Sequence, residues 1–168
     1  MSQNKTEFSR LLVLVDGSQP SINAADCAIS LVKKERGDNP QELIALHVVF
    51  SRLGYAYSPS GTFGSSGLTT PDAVRELLET TKKEAQIWFD NIRQKLNNVG
   101  DSSNILLQTE VVITATSIVS AIVEYAKNKD VDLIITGTRG RSEFKKLLLG
   151  SVASGVLTLA SCPVMVVK

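Results

Sequence analysis

The chain has 168 residues, a length typical of one domain, and 43% of them are hydrophobic. Lysine and arginine together number 18 and aspartate and glutamate 17, which gives a formal net charge of +1. This near-neutral balance argues against a protein that binds nucleic acid through clustered cations. The apolar content and the low net charge also argue against a disordered chain.

Cysteine and histidine are too scarce for several common kinds of site. Cys27 and Cys162 lie in no metal-ligand spacing and are too few for a disulfide framework. The single histidine, His47, argues against a zinc or histidine-based catalytic centre. No apolar run approaches the roughly 20 residues that span a bilayer, so we expect no membrane partner. Residues 1–10 lack the apolar stretch of a signal peptide, and we expect a cytoplasmic protein.

Short apolar runs alternate with segments of helical periodicity. The run at 11–15 is continuous, which is typical of a strand covered on both faces of a parallel sheet. Apolar residues then recur at helical spacing between 22 and 32, with Pro20 in the first turn. Further strands are predicted at 43–50, 105–113, 131–136 and 163–167, and further helices at 70–97, from 116–117 past 125, and at 151–161.

The alternation of five strands and four helices predicts a single α/β domain over 1–168. Right-handed crossovers place the strands in one open parallel sheet with helices on both faces. Gln108 and Glu110 indicate that the third strand lies at an edge. Residues 51–69 are rich in glycine and serine and are predicted to form a flexible loop, whose aromatic residues are Tyr55, Tyr57 and Phe63.

Two of the predicted strands end in loops of small polar residues, where sheets of this kind bind ligands. Asp16-Gly17-Ser18 follows the first strand. The fourth strand ends in a run with the spacing Gly137-x2-Gly140-x9-Gly150-Ser151. Glycines allow a ligand to approach the backbone, and the N–H groups and dipole of the helix that begins at Ser151 favour phosphate oxygens. The fingerprints of dinucleotide-binding, P-loop and α/β-hydrolase proteins are absent.

With these motifs, the chain resembles the ATP-binding branch of the universal stress protein family over nearly its whole length. The resemblance rests on the complete glycine run and on four short segments, at 15–18, 46–49, 132–137 and 161–164. It implies the strand order 3-2-1-4-5 in a Rossmann-like fold, of the kind found in adenine nucleotide α-hydrolases. It also implies that the protein binds ATP, with Mg²⁺ or Mn²⁺ held mainly through the phosphates.

The resemblance also implies roles for individual residues. Asp16 matches the acidic residue beside the ribose and would contact the metal only indirectly, and Val48 matches the strand residue whose backbone meets adenine. No catalytic residue is implied. The cofactor-binding residues that we expect are Asp16, Gly17, Ser18, Val48, Thr136, Gly137, Gly140, Arg141, Gly150, Ser151, Val152 and Ala153.

Several of these residues also have simpler interpretations. Asp16 could merely cap the first helix, and Ser151 could be a plain N-cap. The four cations between 139 and 146 form either a solvated face or contacts to phosphates. We interpret His47 as a core histidine with its hydrogen bonds satisfied.

We expect an ATP-binding regulatory or stress-response protein in which the nucleotide orders 139–149 and changes a surface seen by an unidentified protein partner. One alternative is a slow ATPase or phosphotransferase, for which Glu143 and Asp16 are the only local candidates for a general base, so that hydrolysis is weak at most. The other alternative is a nucleotide-free scaffold or chaperone-like dimer. The apolar edge strand at 164–167 predicts a homodimer, and the resemblance agrees because family members commonly pair through this strand.

Overall fold

A computed structural model describes residues 8–34, 41–52, 71–98, 104–139 and 149–168, and these residues form alternating strands and helices. Every strand pair is parallel, and the sheet order β3-β2-β1-β4-β5 confirms the predicted topology. The observed bounds of every strand lie within two residues of the predicted ones. The elements are β1 (Arg10–Leu14), α1 (Gln19–Lys34), β2 (Gln41–Phe50), α2 (Pro71–Asn97), β3 (Ile105–Thr114), α3 (Ile118–Asn128), β4 (Leu133–Gly137), α4 (Ser151–Leu159) and β5 (Val164–Val167).

The sheet is covered on both faces, as its continuous apolar strands predict. Because alternate residues of a strand point to opposite faces, Leu11 and Val13 pack with α1 and α2, whereas Leu12 and Leu14 pack with α3 and α4. Both layers exclude water from the central strands. None of the helices in the described part of the chain is long and apolar enough to cross a membrane.

Some sequence predictions fall on residues that the structure does not describe. Of the predicted loop at 51–69, only Ser51 and Arg52 are described, so the loop and its three aromatic residues lie outside the described part. Gly140, Arg141 and the candidate base Glu143 lie outside it as well.

The amino end of the sheet is fastened by one carboxylate. Asp132 Oδ2 accepts hydrogen bonds from Ser9 N (3.0 Å), Ser9 Oγ (2.8 Å) and Arg10 N (2.9 Å). The Arg10 guanidinium in turn donates to Glu42 and to the carbonyl oxygen of Lys129. These contacts join the first residues of β1 to β2 and to the segment that enters β4, so they fix how the central strands align.

The two cysteines are free thiols within the packed part of the fold. Cys27 Sγ lies 3.7 Å from Met165 Sδ, between α1 and β5. Burial raises the pKa of the Cys162 thiol, which keeps it in the less reactive protonated form. Both thiols therefore act as small packing groups.

The edge position of β3 leaves Glu110 available to α3. Tyr125 Oη donates a hydrogen bond of 2.6 Å to Glu110 Oε2. Burial, and then this hydrogen bond to a carboxylate, raise the pKa of Tyr125 above its ordinary value of about 10. The pair joins α3 to the edge of the sheet.

We expect this tyrosine to make the fold sensitive to alkali. Above about pH 10, ionisation of Tyr125 lowers the free energy of the unfolded chain, whereas the folded chain keeps the phenol protonated. The free energy of unfolding therefore falls as the pH rises. Tyr125→Phe should flatten this loss between about pH 10 and 11, measured by urea unfolding across the pH range. An equally steep loss in the variant would show that other groups cause it.

Candidate functional site

A cavity of about 600 Å³ opens at the carboxyl ends of β1, β2 and β4. In this sheet the strand order reverses between β1 and β4, and such a switch point leaves a crevice for ligands. Gly17 and Ser18 are described but do not line the cavity. The predicted site residues that do line it are Asp16, Val48, Thr136, Gly137, Gly150, Ser151, Val152 and Ala153.

The turn between β1 and α1 is built around Asp16. Its Oδ1 accepts hydrogen bonds from Ser18 N (3.0 Å) and Ser18 Oγ (2.6 Å). Ser18 precedes α1, its carbonyl oxygen accepts from Ile22 N (3.0 Å), and its Oγ accepts from Ser21 N (3.4 Å). Ser18 is therefore the N-cap, so the interpretation of Asp16 as the cap is wrong. Asp16 instead holds the capping residue through its carboxylate and also lines the cavity.

Position 17 requires a glycine for two reasons, its backbone conformation and a neighbouring side chain. Its φ of +80° lies in the left-handed region, and a Cβ there would lie 2.5 Å from ring atoms of Trp88 on α2. The Trp88 ring meets the His47 ring edge-on, with 5.1 Å between centroids. His47 is buried with Nδ1 2.7 Å from the Val15 carbonyl oxygen, which confirms it as a core histidine with a hydrogen-bond partner. It also lines the cavity, a position that the sequence did not reveal.

Gly137 lines the cavity, and its missing side chain has a packing reason that the sequence did not show. A Cβ at this position would lie 2.6 Å from the carbonyl carbon and 2.7 Å from the carbonyl oxygen of Pro20. Backbone atoms cannot yield as a side-chain end can. The glycine is therefore needed for α1 to pack closely on β4.

The amino end of α4 forms another wall of the cavity. Gly150 is the N-cap, with extended φ and ψ of −62° and 154°, and its N–H donates to the Thr138 carbonyl oxygen at 2.8 Å. Ser151 is consequently the first residue of the helix, which corrects its interpretation as the N-cap. The first N–H groups of a helix have no acceptor within it, and they belong here to the cavity-lining residues 151–153. This wall suits an anionic group.

The structure also brings in residues that sequence reasoning missed. Arg139, one of the four cations considered in the sequence as phosphate contacts, also lines the cavity, and its carbonyl oxygen lies 3.3 Å from Ser18 Oγ. Within the described residues, no group of three or more histidine, cysteine, aspartate and glutamate side chains is arranged to hold a metal ion. The lining residues that the sequence did not single out as site residues are Leu14, Val15, Ser21, Leu46, His47, Val49, Phe50, Leu77, Thr80, Thr81, Glu84, Ile118 and Ile122.

Comparisons with known proteins agree on one family. The model of the Universal stress protein family matches residues 7–168. Universal stress protein YxiE of Bacillus subtilis is 31% identical over 168 residues, covering 96% of this chain and 99% of that protein. The structure of universal stress protein UspA from Lactobacillus plantarum matches with a TM-score of 0.68 at 27% identity, covering 98% and 100% of the two chains. A universal stress protein solved in complex with cAMP has a TM-score of 0.57 at 21% identity over 97% and 98% of the chains, which shows a shared fold.

Proposed function

Because the chain belongs to the universal stress protein family, we propose that it binds ATP in the cavity and uses it as a regulatory ligand in a stress response. One observation carries this proposal. The turn at Asp16 and the start of α4 at Ser151 are 135 positions apart in the sequence, yet they line one cavity. Its volume of about 600 Å³ falls within the range of small-molecule sites.

The two walls of the cavity suit different parts of the nucleotide. The N–H groups and dipole at the start of α4 would receive the phosphates, and Arg139 would add a positive charge. The apolar side chains of Val48, Ile118 and Ile122 would receive the base. Asp16, held by Ser18, repels a triphosphate unless it contacts the ribose hydroxyls or unless a divalent cation intervenes. A bound Mg²⁺ or Mn²⁺ would neutralise phosphate charge there.

Calorimetric titration of the purified protein with ATP, with and without Mg²⁺, tests the proposal. We expect saturable binding of one ATP per chain and stronger binding with the metal. The absence of binding under both conditions would favour the nucleotide-free scaffold.

Asp16 and Glu84 both line the cavity, and this favours slow hydrolysis as the second candidate function. Single-turnover assays on the same sample measure it, with Asp16→Asn and Glu84→Gln as the variants that would abolish it.

We further propose that the protein forms a homodimer through β5, where a protein partner of other identity could also dock. β5 is the edge of the described sheet, and all four of its residues are partly exposed. Ile134 N donates to the Pro163 oxygen (3.0 Å), and Thr138 N donates to the Val167 oxygen (2.8 Å). In a parallel strand, alternate residues face alternate neighbours, so Val164 and Val166 direct their N–H and C=O groups away from β4. Such an edge pairs readily with a second strand.

Val166→Pro should therefore yield monomers without unfolding the sheet. Proline removes an N–H that faces outward, whereas the residues that bond to β4 keep theirs. Val166→Ala, which keeps the N–H, is the matched control and should remain dimeric. Analytical ultracentrifugation at micromolar concentration measures the outcome. A wild-type protein that sediments as a monomer would contradict the dimer.

A further inference from the structure

Phe50 is an exposed aromatic residue in an unusual place. Its side chain is 48% exposed, and it ends β2, the strand that carries Val48. Of the large hydrophobic side chains that are exposed in the described part of the chain, Phe50 is the one that lines the cavity. The others do not line it: Ile87, Leu106, Leu149, Leu157 and Leu159.

The position of Phe50 is fixed by the sheet. Phe50 pairs with Thr114 of β3, and the next residue, Ser51, donates its N–H to the Thr114 carbonyl oxygen at 2.9 Å. Leu46, Val48 and Phe50 are spaced two apart, so their side chains lie on the same face of β2. Leu46 is fully buried and Val48 is half-buried, so exposure rises along this face toward the cavity. The sheet therefore fixes the backbone of Phe50 where the apolar layer reaches the cavity, and the side chain extends from this fixed point.

The phenyl ring of Phe50 has exposed apolar surface that a bound ligand can cover. Burial of exposed aromatic carbon is favourable, and a flat π-system also stacks on the phenyl ring. Aliphatic residues Ile118 and Ile122 of α3 line the same cavity and supply a second apolar surface. A planar, aromatic group fits this arrangement better than a sugar or a phosphate does.

We propose that Phe50 is a specificity-determining residue that stacks on the base of the bound nucleotide. The inference rests on the proposed function. It adds to that function a residue that favours ligands with an aromatic base. Stacking is tolerant of base identity, because every base has a π-face. Phe50 thus selects nucleotides over base-free phosphates, while the choice among bases depends on other contacts.

The test compares ATP, GTP and inorganic tripolyphosphate as ligands of the wild-type protein, Phe50→Ala and Phe50→Trp. Loss of one stacked base weakens binding roughly 5- to 150-fold, so Phe50→Ala should weaken ATP and GTP by the same factor within this range. The affinity for tripolyphosphate should stay unchanged, and Phe50→Trp should retain or strengthen nucleotide binding. Leu106→Ala is the matched control, since Leu106 is a similarly exposed side chain on β3 that does not line the cavity.

The outcomes separate this inference from the proposed function. If the wild-type protein binds no ATP, the proposed function fails and the inference falls with it. If the wild-type protein binds ATP and Phe50→Ala binds it equally well, only the stacking role is overturned. A parallel loss of tripolyphosphate affinity would also overturn it, because it would show that the ring supports the cavity rather than the base. Thermal unfolding of Phe50→Ala and Leu106→Ala checks that both variants are folded.

Discussion

Ser151→Pro should weaken ATP binding about a hundredfold while leaving the fold intact. Proline at this position removes both the hydroxyl and the backbone N–H from the cavity wall, and each hydrogen bond to a charged group contributes about 1.5–3 kcal/mol. Proline is favoured at the first residue of a helix. The preceding Gly150 already has the extended backbone that a following proline requires. Calorimetric titration with ATP measures the loss.

A second substitution at the same position separates the two donors. Ser151→Ala removes the hydroxyl alone and should cost about tenfold in affinity. Ser154→Ala, on the same helix but outside the cavity lining, should bind ATP normally. If Ser151→Pro and Ser151→Ala bound ATP equally tightly, the backbone N–H of residue 151 would have no part in binding.

Asp132→Ala should lower the free energy of unfolding by about 2–4 kcal/mol. The substitution removes a carboxylate oxygen that accepts three hydrogen bonds from Ser9 and Arg10, and it leaves partly buried donors without that partner. Urea unfolding followed by far-ultraviolet circular dichroism measures the change. Asp132→Asn keeps an acceptor oxygen but loses the charge, so about half of the loss is expected.

An exposed carboxylate provides the control for this experiment. Asp90 pairs with Arg93 one turn away on the surface of α2, and Asp90→Ala should cost less than about 1 kcal/mol. Asp132→Asn should bind ATP normally, since Asp132 lies at the amino end of the sheet and the cavity at the carboxyl end. A loss for Asp132→Ala as small as that for Asp90→Ala would refute the fastening role.

The strands and helices could be predicted because the sequence patterns that indicate them are local. The continuous apolar runs at 11–15 and 43–50 indicate buried strands, and helical periodicity follows each of them. Strand order is a different matter, because no local pattern states which strands are neighbours. The resemblance implied the order, and the pairing of β1 with both β2 and β4 confirms it.

The candidate site was predictable only where a motif marks it. Asp16 and the residues around Ser151 follow strand ends and carry small polar groups, so they could be named in advance. Thr80, Thr81 and Glu84 carry no such mark, because their place in the cavity depends on how α2 packs against the sheet. The packing role of Gly137 could not be predicted for the same reason. Its close neighbour, Pro20, is distant in sequence and known only from the fold.

The contact between Trp88 and Gly17 has a practical consequence. Trp88 is the only tryptophan in the sequence, and its indole lies against the turn that holds Asp16. The intrinsic fluorescence of the whole protein above the tyrosine band therefore originates at one point beside the cavity. Any rearrangement of that turn changes the surroundings of the Trp88 indole. Tryptophan fluorescence can therefore follow such a rearrangement without an attached dye.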